Sequence, residues 1–352
     1  MTIQQRKNHF IQLGKFLGQF NKEGFERNLE LAGQNDLPDR FEEQINMAIH
    51  YNGWFIRENV IFALHEWNKA LTKENLDRWL EDYDLENINP KRVGIIMAGN
   101  IPLVGFHDFI SVLISGHRVL VKQSANDQRL LPIIAEYLIM TEPSYSEFIE
   151  FTSGKMDNFD AVIATGSNNT SRYFEYYFAN KPSIIRKNRN SVAVISGNES
   201  PGELKELGND IFRYFGLGCR NVSKLYLPVD YDFHDFYTAI EPWNELLNHA
   251  KYANNYDYNK AVYLMSEFKF LDNGFLMLKE AGDFSSPIGT VFYENYTDEA
   301  SLKTKLEENK ENLQCIVAHN FSPEEVSFGN SQHPRLWDFA DNVDTLAFLQ
   351  NL

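Results

Sequence analysis

One cysteine in this chain has surroundings suited to covalent chemistry. In FGLGCRNVSKLYLP, Phe215 to Pro228, Cys219 stands between Gly218 and Arg220 and the chain then enters an apolar run. Glycines let a backbone pass close to a ligand, and an adjacent arginine favours the thiolate, the nucleophilic form of a thiol. The competing reading is a small apolar residue at a helix-to-strand corner, since cysteines are often buried and inert. The other cysteine, Cys315, lies inside the apolar run LQCIVAHNF and reads as buried.

Three further polar groups stand where short apolar runs end: Asn100 after VGIIMAG, Lys122 after RVLV, and Gly166-Ser167 after DAVIAT. In parallel α/β sheets ligands bind at the carboxyl ends of the strands. A Gly-Ser turn opening a helix offers backbone N–H groups to a phosphate, although serine and asparagine are also ordinary helix caps. Lys122 suits a ribose or a phosphate, or is a solvated strand-end lysine. Asn100 is a neutral donor of the kind that forms oxyanion holes, or a turn-forming asparagine. Lys181, Arg186, Lys187 and Arg189 form a basic patch suited to phosphate groups, or else a solvated loop.

The elements that must position these groups follow from hydrophobic spacing. Residues 1–88 read as helical, with Phe, Leu, Ile and Trp recurring every three or four positions, and serve as a helical layer or a dimer contact of a homo-oligomer. From Asn89 the pattern alternates between short β-branched runs and helical stretches, which specifies a parallel sheet with helices on its faces. PSIIRKNRNSVAVIS reads as two short strands and SPGELKELGNDIFRYF as the helix that delivers Cys219. The expected division is a cofactor lobe over 89–197, a catalytic lobe over 198–324 and a final segment, 325–352. In the catalytic lobe KLYLPVDY, KAVYLMSE, PIGTVFYENY and LQCIVAHNF read as short strands, with helices between them.

Composition bounds the function. The chain has 352 residues, 43% of them hydrophobic, and a net charge of −16. Such acidity argues against nucleic acid or an anionic membrane surface as partner. Two cysteines, with no signal-peptide pattern and no apolar run long enough to span a bilayer, lead to the expectation of a cytoplasmic protein without membrane insertion. The nine histidines show no metal-ligand spacing, so no metal is expected. The Gly-x-Gly-x-x-Gly dinucleotide fingerprint and the Gly-x-Ser-x-Gly serine-hydrolase elbow are both absent.

The order GNIPLVGF, VLVKQS, ATGSNNTSRYF and FGLGCRNVSKLYLP resembles the aldehyde dehydrogenase superfamily, and within it the LuxC-type acyl-CoA reductases. The resemblance covers roughly residues 50 to 350 and includes the terminal FGNSQHPRLWDFADNVDTLAFL. It implies an aldehyde-dehydrogenase-like two-lobed α/β fold whose last segment returns to the cofactor lobe. It also implies Cys219 as nucleophile, Asn100 as oxyanion donor, Lys122 on the adenosine ribose or its phosphate, Gly166-Ser167 near the cofactor diphosphate, and Asp283 of AGDFSSPIG on the nicotinamide ribose. Aldehyde-oxidising members carry a water-activating glutamate in a Glu-Leu-Gly-Gly segment; here Arg186 to Asn190 stand in its place. Hydrolysis of an acyl-enzyme needs such a base, whereas exchange with a thiol does not. The expectation is therefore an NADPH-dependent reductase, with NADH as the alternative, that converts a long-chain acyl-CoA, or an acyl group on a carrier or other protein, to a fatty aldehyde. A cysteine acyltransferase or thioesterase without nicotinamide, and a non-catalytic acyl- or nucleotide-binding subunit, are the competing readings.

Overall fold

The computed structural model describes residues 1–26 and 35–352; the helical reading over 27–34 lies outside the described residues. Among the described residues four helices come first: α1 (Ile3–Leu17), α2 (Leu37–Tyr51), α3 (Arg57–Ala70) and α4 (Lys73–Leu80). There follow β1 (Arg92–Ile96), α5 (Phe106–Ile114), β2 (Arg118–Lys122), α6 (Leu130–Thr141), β3 (Ile149–Phe151), β4 (Ala161–Thr165), α7 (Asn168–Tyr177) and β5 (Ser183–Arg186). The second half contains β6 (Asn190–Val194), α8 (Pro201–Phe212), β7 (Val222–Pro228), α9 (His234–Ile240) and α10 (Ala250–Met265). It continues with β8 (Leu271–Asp272), β9 (Met277–Glu280), β10 (Thr290–Tyr296), α11 (Glu299–Glu308), β11 (Leu313–Val317) and α12 (Thr345–Gln350).

The chain forms two compact units, residues 1–187 with 335–352, and residues 188–334. In the first, five parallel strands run in the order β3-β2-β1-β4-β5. Alternate residues of these strands belong to different clusters. Val93, Ile95, Val119, Val121 and Ile163 pack with α1 to α6, while Leu120, Val162 and Ala164 pack with Met156, Phe159 and the α7 side. Period-two side chains buried on both faces explain why the strands read as unbroken apolar runs. A Cβ at Gly94 in β1 would lie 2.2 Å from the Met156 terminal methyl, which would have to swing aside.

The second unit holds a six-stranded sheet, β11-β6-β7-β10-β9-β8, parallel except for the β8–β9 pair. One face packs against α8 and α9 through Leu204, Leu207, Ile211, Phe236 and Ile240, the other against α11 through Leu302 and Leu306.

Three expectations are corrected here. The crossover falls between Lys187 and Asn188 rather than near Gly197, because β6 pairs with β7 and β11 in the second sheet while β5 pairs with β4 in the first. The return to the first unit begins at Arg335 rather than at residue 325, since Gly329 and Ser331 are bonded to Asp210 of the second. KAVYLMSE is not a strand: most of it is the last part of α10, whose buried Tyr252, Tyr256 and Tyr263 recur on one helical face.

Arg186, placed in the basic patch by sequence, is 4% exposed and forms a two-pronged ion pair with Asp108 on α5, at 2.6 and 3.3 Å. Its remaining donors reach the Ala340 carbonyl and the Thr345 hydroxyl, so one guanidinium joins β5, α5 and the start of α12. Removing one member of a buried pair strands the other charge, at a cost of about 3–5 kcal/mol. Asp108→Ala is therefore expected to lower stability by that amount, read from the midpoint of urea denaturation; a change within about 0.5 kcal/mol, usual for a surface site, would count against the lock.

Candidate active site

The nucleophile candidate sits at the end of a strained connection. Past α8, Tyr214, Phe215 and Gly216 take consecutive left-handed conformations, φ 54°, 59° and 77°. For the two side-chain-bearing residues this costs about 1–2 kcal/mol each. Packing holds it in place: Tyr214 and Phe215 are buried, and the Phe215 ring stacks on His249 with centroids 4.4 Å apart. The chain is thereby thrown out of the helix into the tight turn Gly218–Asn221, closed by a bond from the Asn221 N–H to the Gly218 carbonyl at 3.0 Å. Cys219 is the second residue of that turn and is exposed, which removes the inert buried reading.

Asn221 governs the turn. It is 2% exposed; its side-chain oxygen accepts from Gly218 N–H at 2.8 Å and its amide donates to the carbonyls of Asp210, Ile211 and Arg213 at 3.1, 3.3 and 2.8 Å. Those carbonyls close α8, where no intrahelical donors are available. Ser191 of β6 donates to the Cys219 carbonyl at 2.9 Å and lies 3.0 Å from the Cys315 sulfur. Cys315 is half-buried rather than fully enclosed. Arg220 donates through Nε to the Ser331 carbonyl, and Asp210, fully buried, accepts from the Gly329 and Ser331 N–H groups at 2.7 and 2.9 Å. Sequence reasoning passed over Asn221, Ser191 and Asp210. The available signal was a polar Asn leading directly into the apolar VSKLYLP run.

Asp283 is exposed on a loop tied to β7: Ser223 donates to the Phe284 carbonyl at 2.7 Å and Lys224 to that of Gly282 at 2.8 Å. Lys224 is wholly buried and also paired with Glu294 at 2.9 Å. Burial pulls its pKa down, opposed by the Glu294 carboxylate. Glu203 belongs to the capping box of α8 with Ser200 and bonds His319. The His319 bond, with the Ser200 N–H, holds its pKa down at about 2, where a carboxylate is a poor base. Glu199 accepts from the N–H groups of Ser196 and Gly197.

In the first unit Asn100 is exposed in the bend after β1, and Lys122 is half-buried at the end of β2, opposite Ile96 of β1. Ile96 also faces Ala164 of β4, so the Lys122 and β4 ends are two strand spacings apart, about 10 Å. Ser167 is the N-cap of α7, accepting from Thr170 N–H at 3.3 Å. A Cβ at Gly166 would fit tightly, 3.0 Å from both Phe174 and Thr170. The basic patch does not assemble. Besides Arg186, Lys181 donates to the Phe159 carbonyl, Lys187 pairs with Glu175 at 2.7 Å, and Arg189 holds the Lys310 and Leu313 carbonyls ahead of β11. Each cation has local work to do, which a run of charges in sequence does not reveal.

The fold is shared with aldehyde dehydrogenases. Aldehyde dehydrogenase 21 from Physcomitrella patens, in complex with the reaction product succinate, aligns over 100% of this chain and 84% of its own, with TM-score 0.66 and 13% identity. The P. syringae indole-3-acetaldehyde dehydrogenase AldA, solved with NAD+ and IAA, covers 92% of this chain and 73% of its own at TM-score 0.63 and 12% identity. An NAD-dependent benzaldehyde dehydrogenase from Corynebacterium glutamicum covers 90% and 76% at TM-score 0.63 and 12% identity. The family model "Acyl-CoA reductase (LuxC)" matches residues 19–242, from just after α1 through α9 and including the Cys219 turn. The chain belongs to that family and is an oxidoreductase. No curated protein matches it. Among the described residues no helix is long and apolar enough to cross a membrane.

Asn221→Ala leaves up to three helix-end carbonyls without their donor and releases Gly218. The expected result is a loss of about 1–3 kcal/mol in stability and a fall of at least about 10-fold in the rate of Cys219 acylation, measured by denaturation and timed intact-mass spectrometry. The Glu203–His319 pair carries a pH signature. Glu203, with its pKa depressed, contributes stability that is lost as pH falls toward about 2; His319, raised mainly by its bond to Glu203, contributes stability that is lost as pH rises past its raised value. The melting-temperature gap between the parent and His319→Ala is expected to be widest at about pH 5.5 and to close by about pH 9.

Proposed function

We propose that this protein reduces a long-chain acyl thioester, acyl-CoA or an acyl group on a carrier or other protein, to the aldehyde through an acyl-enzyme on Cys219, with NADPH as hydride donor and NADH as the alternative. The observation that carries this reading is the exposed Cys219 on a turn held by Asn221, Ser191 and Arg220, in a chain of the acyl-CoA reductase family. Two of the structural relatives are NAD-linked by their descriptions, which supports a nicotinamide cofactor. The first sheet fits such a group. The order β3-β2-β1-β4-β5 puts its switch point between β1 and β4, where dinucleotides bind. The α7 N-terminus beside Gly166 suits a diphosphate, and Lys122, about 10 Å away, suits the adenosine ribose. Asp283 is assigned to the nicotinamide ribose.

The Cys219 thiolate attacks the thioester carbonyl, forming a carbon–sulfur bond and a tetrahedral oxyanion. Asn100 and the Cys219 backbone N–H are assigned as its donors. Collapse expels the coenzyme A thiolate, which is protonated from solvent, and leaves the acyl group on Cys219. A reduced nicotinamide, held by Lys122, the Gly166-Ser167 turn and Asp283, would supply the hydride that the acyl carbon takes up. The resulting thiohemiacetal alkoxide collapses with the electron pair returning to the Cys219 sulfur, and aldehyde leaves. Arg186 to Asn190 offer no carboxylate to activate water, and this supports thioester chemistry over hydrolysis.

Acyl-CoA given alone is expected to load one acyl group on Cys219, release coenzyme A and stop. Added NADPH then discharges the adduct as aldehyde, followed by intact mass and product chromatography across chain lengths. Rapid NADPH-independent release of free fatty acid would transfer the assignment to a thioesterase, and absence of any adduct to a binding subunit. Cys219→Ala is expected to abolish the adduct, Cys315→Ala to retain activity, and Asn100→Ala to lower kcat by about 10²–10³.

A further inference from the structure

The loop between β1 and α5 carries Asn100 and contains a second strained leucine-scale element. Leu103, 4% exposed, has φ 56°, a left-handed conformation that side-chain-bearing residues rarely adopt. Its N–H, turned inward by that conformation, is received by the Asp127 carboxylate at 3.0 Å. Its carbonyl accepts from Phe106 N–H at 3.0 Å and so starts α5. Asp127 is fixed in turn: its own N–H donates to the Ser124 carbonyl at 3.0 Å and its carbonyl accepts from the Gln123 side chain at 2.9 Å. Its carboxylate faces a small cavity lined by Met97, Ala98, Phe106, Gln123 and Leu131, none of them charged. Burial pushes the Asp127 carboxyl up to about 6, opposed by the Leu103 N–H, and leaves it ionised at neutral pH.

At its other end the loop is held by a neutral group. Asn52, buried, donates to the Gly99 carbonyl at 3.3 Å, and Gly99 lies so close to Ser124 that a Cβ would come within 2.6 Å of the hydroxyl. Asn100 is thus suspended between Gly99, pinned by Asn52 and Ser124, and Leu103, pinned by Asp127. A carboxylate in an apolar cavity with one strong donor is costly to bury, and no part of the proposed chemistry uses it directly. Its effect falls on the backbone path through Asn100.

We propose that Asp127 is a positioning residue that holds the Gly99–Gly105 loop, through the left-handed Leu103, in the conformation that presents the Asn100 carboxamide to the reacting carbonyl. The inference rests on the assignment of Asn100 as oxyanion donor. An oxyanion donor acts in the transition state and hardly on the bound thioester, so loss of its positioning appears in kcat and not in KM.

The test is a double-variant cycle in the full-length chain, with acyl-CoA and NADPH. Asp127→Ala is expected to lower kcat by about 10–100-fold with KM for acyl-CoA within about twofold, and the Asp127→Ala/Asn100→Ala double variant to match Asn100→Ala alone within about twofold. Rates are normalised to the fraction of chains that load acyl groups, so that misfolded protein does not count. Asp127→Asn, which keeps the volume and one acceptor oxygen, carries the same cycle if the alanine variant does not fold; it is expected to retain more activity than Asp127→Ala and to show the same non-additivity. Additive losses, unchanged kcat in Asp127→Ala, or an effect confined to KM would overturn the positioning role. If Asn100→Ala itself leaves kcat unchanged, the oxyanion assignment fails instead, and Asp127 loses the residue it was inferred to position.

Discussion

The carboxamide of Asn221 is the interaction on which the Cys219 turn depends. A helix that ends in front of a strand leaves its last carbonyls without donors, and here the chain must also reverse within four residues to present Cys219. One buried amide meets both needs, capping α8 at three carbonyls and gripping the Gly218 N–H across the turn. Neither aspartate nor leucine could replace it, since aspartate lacks the donors and leucine lacks both kinds of group. The left-handed Tyr214-Phe215-Gly216 run is tolerated because the two aromatic rings are buried as the chain turns.

Around that turn the second unit is stiffened from beneath. Ser191 fixes the carbonyl of Cys219, while Asp210 fixes the Gly329–Ser331 backbone that receives Arg220. In the proposed reaction, Cys219 on such a support would lose little entropy on meeting an acyl carbon, the condition under which proximity accelerates a reaction most. Lys224, buried in the middle of β7, extends the same support to the Gly282–Phe284 loop through its bond to the Gly282 carbonyl, and Glu294 balances its charge. The first unit uses the corresponding device at Arg186, where one buried cation joins β5, α5 and the returning chain. Both units therefore spend buried charges on holding backbone rather than on binding anions.

That use of charge explains where the sequence misled. Lys181, Arg186, Lys187 and Arg189 look like a phosphate site because four cations fall close together, but strand direction sends Arg186 inward to Asp108 and leaves Lys187 outward beside Glu175. The β5 and β6 stretches also lie in different sheets, although they are separated by only a short turn. KAVYLMSE misled for another reason: a short apolar run has no periodicity of its own, and Tyr252 and Tyr256, which with Tyr263 show its helical face, lie upstream of it.

The alternating βα pattern, the four motifs in their order and the isolated Cys219 following Gly216 and Gly218 were legible in the sequence, because side-chain period and turn chemistry are local properties. From these alone the parallel sheet, the superfamily resemblance and the nucleophile candidate could be stated. The tertiary structure decided what is not local: that Cys219 is exposed, that Asn221, Ser191 and Asp210 hold its turn, that Asp127 reaches the loop of Asn100, and that Arg186 is a buried lock. Each of these depends on which distant backbone group a polar side chain finds once it leaves water. A buried donor or acceptor must find a partner, but spacing along the chain does not name it.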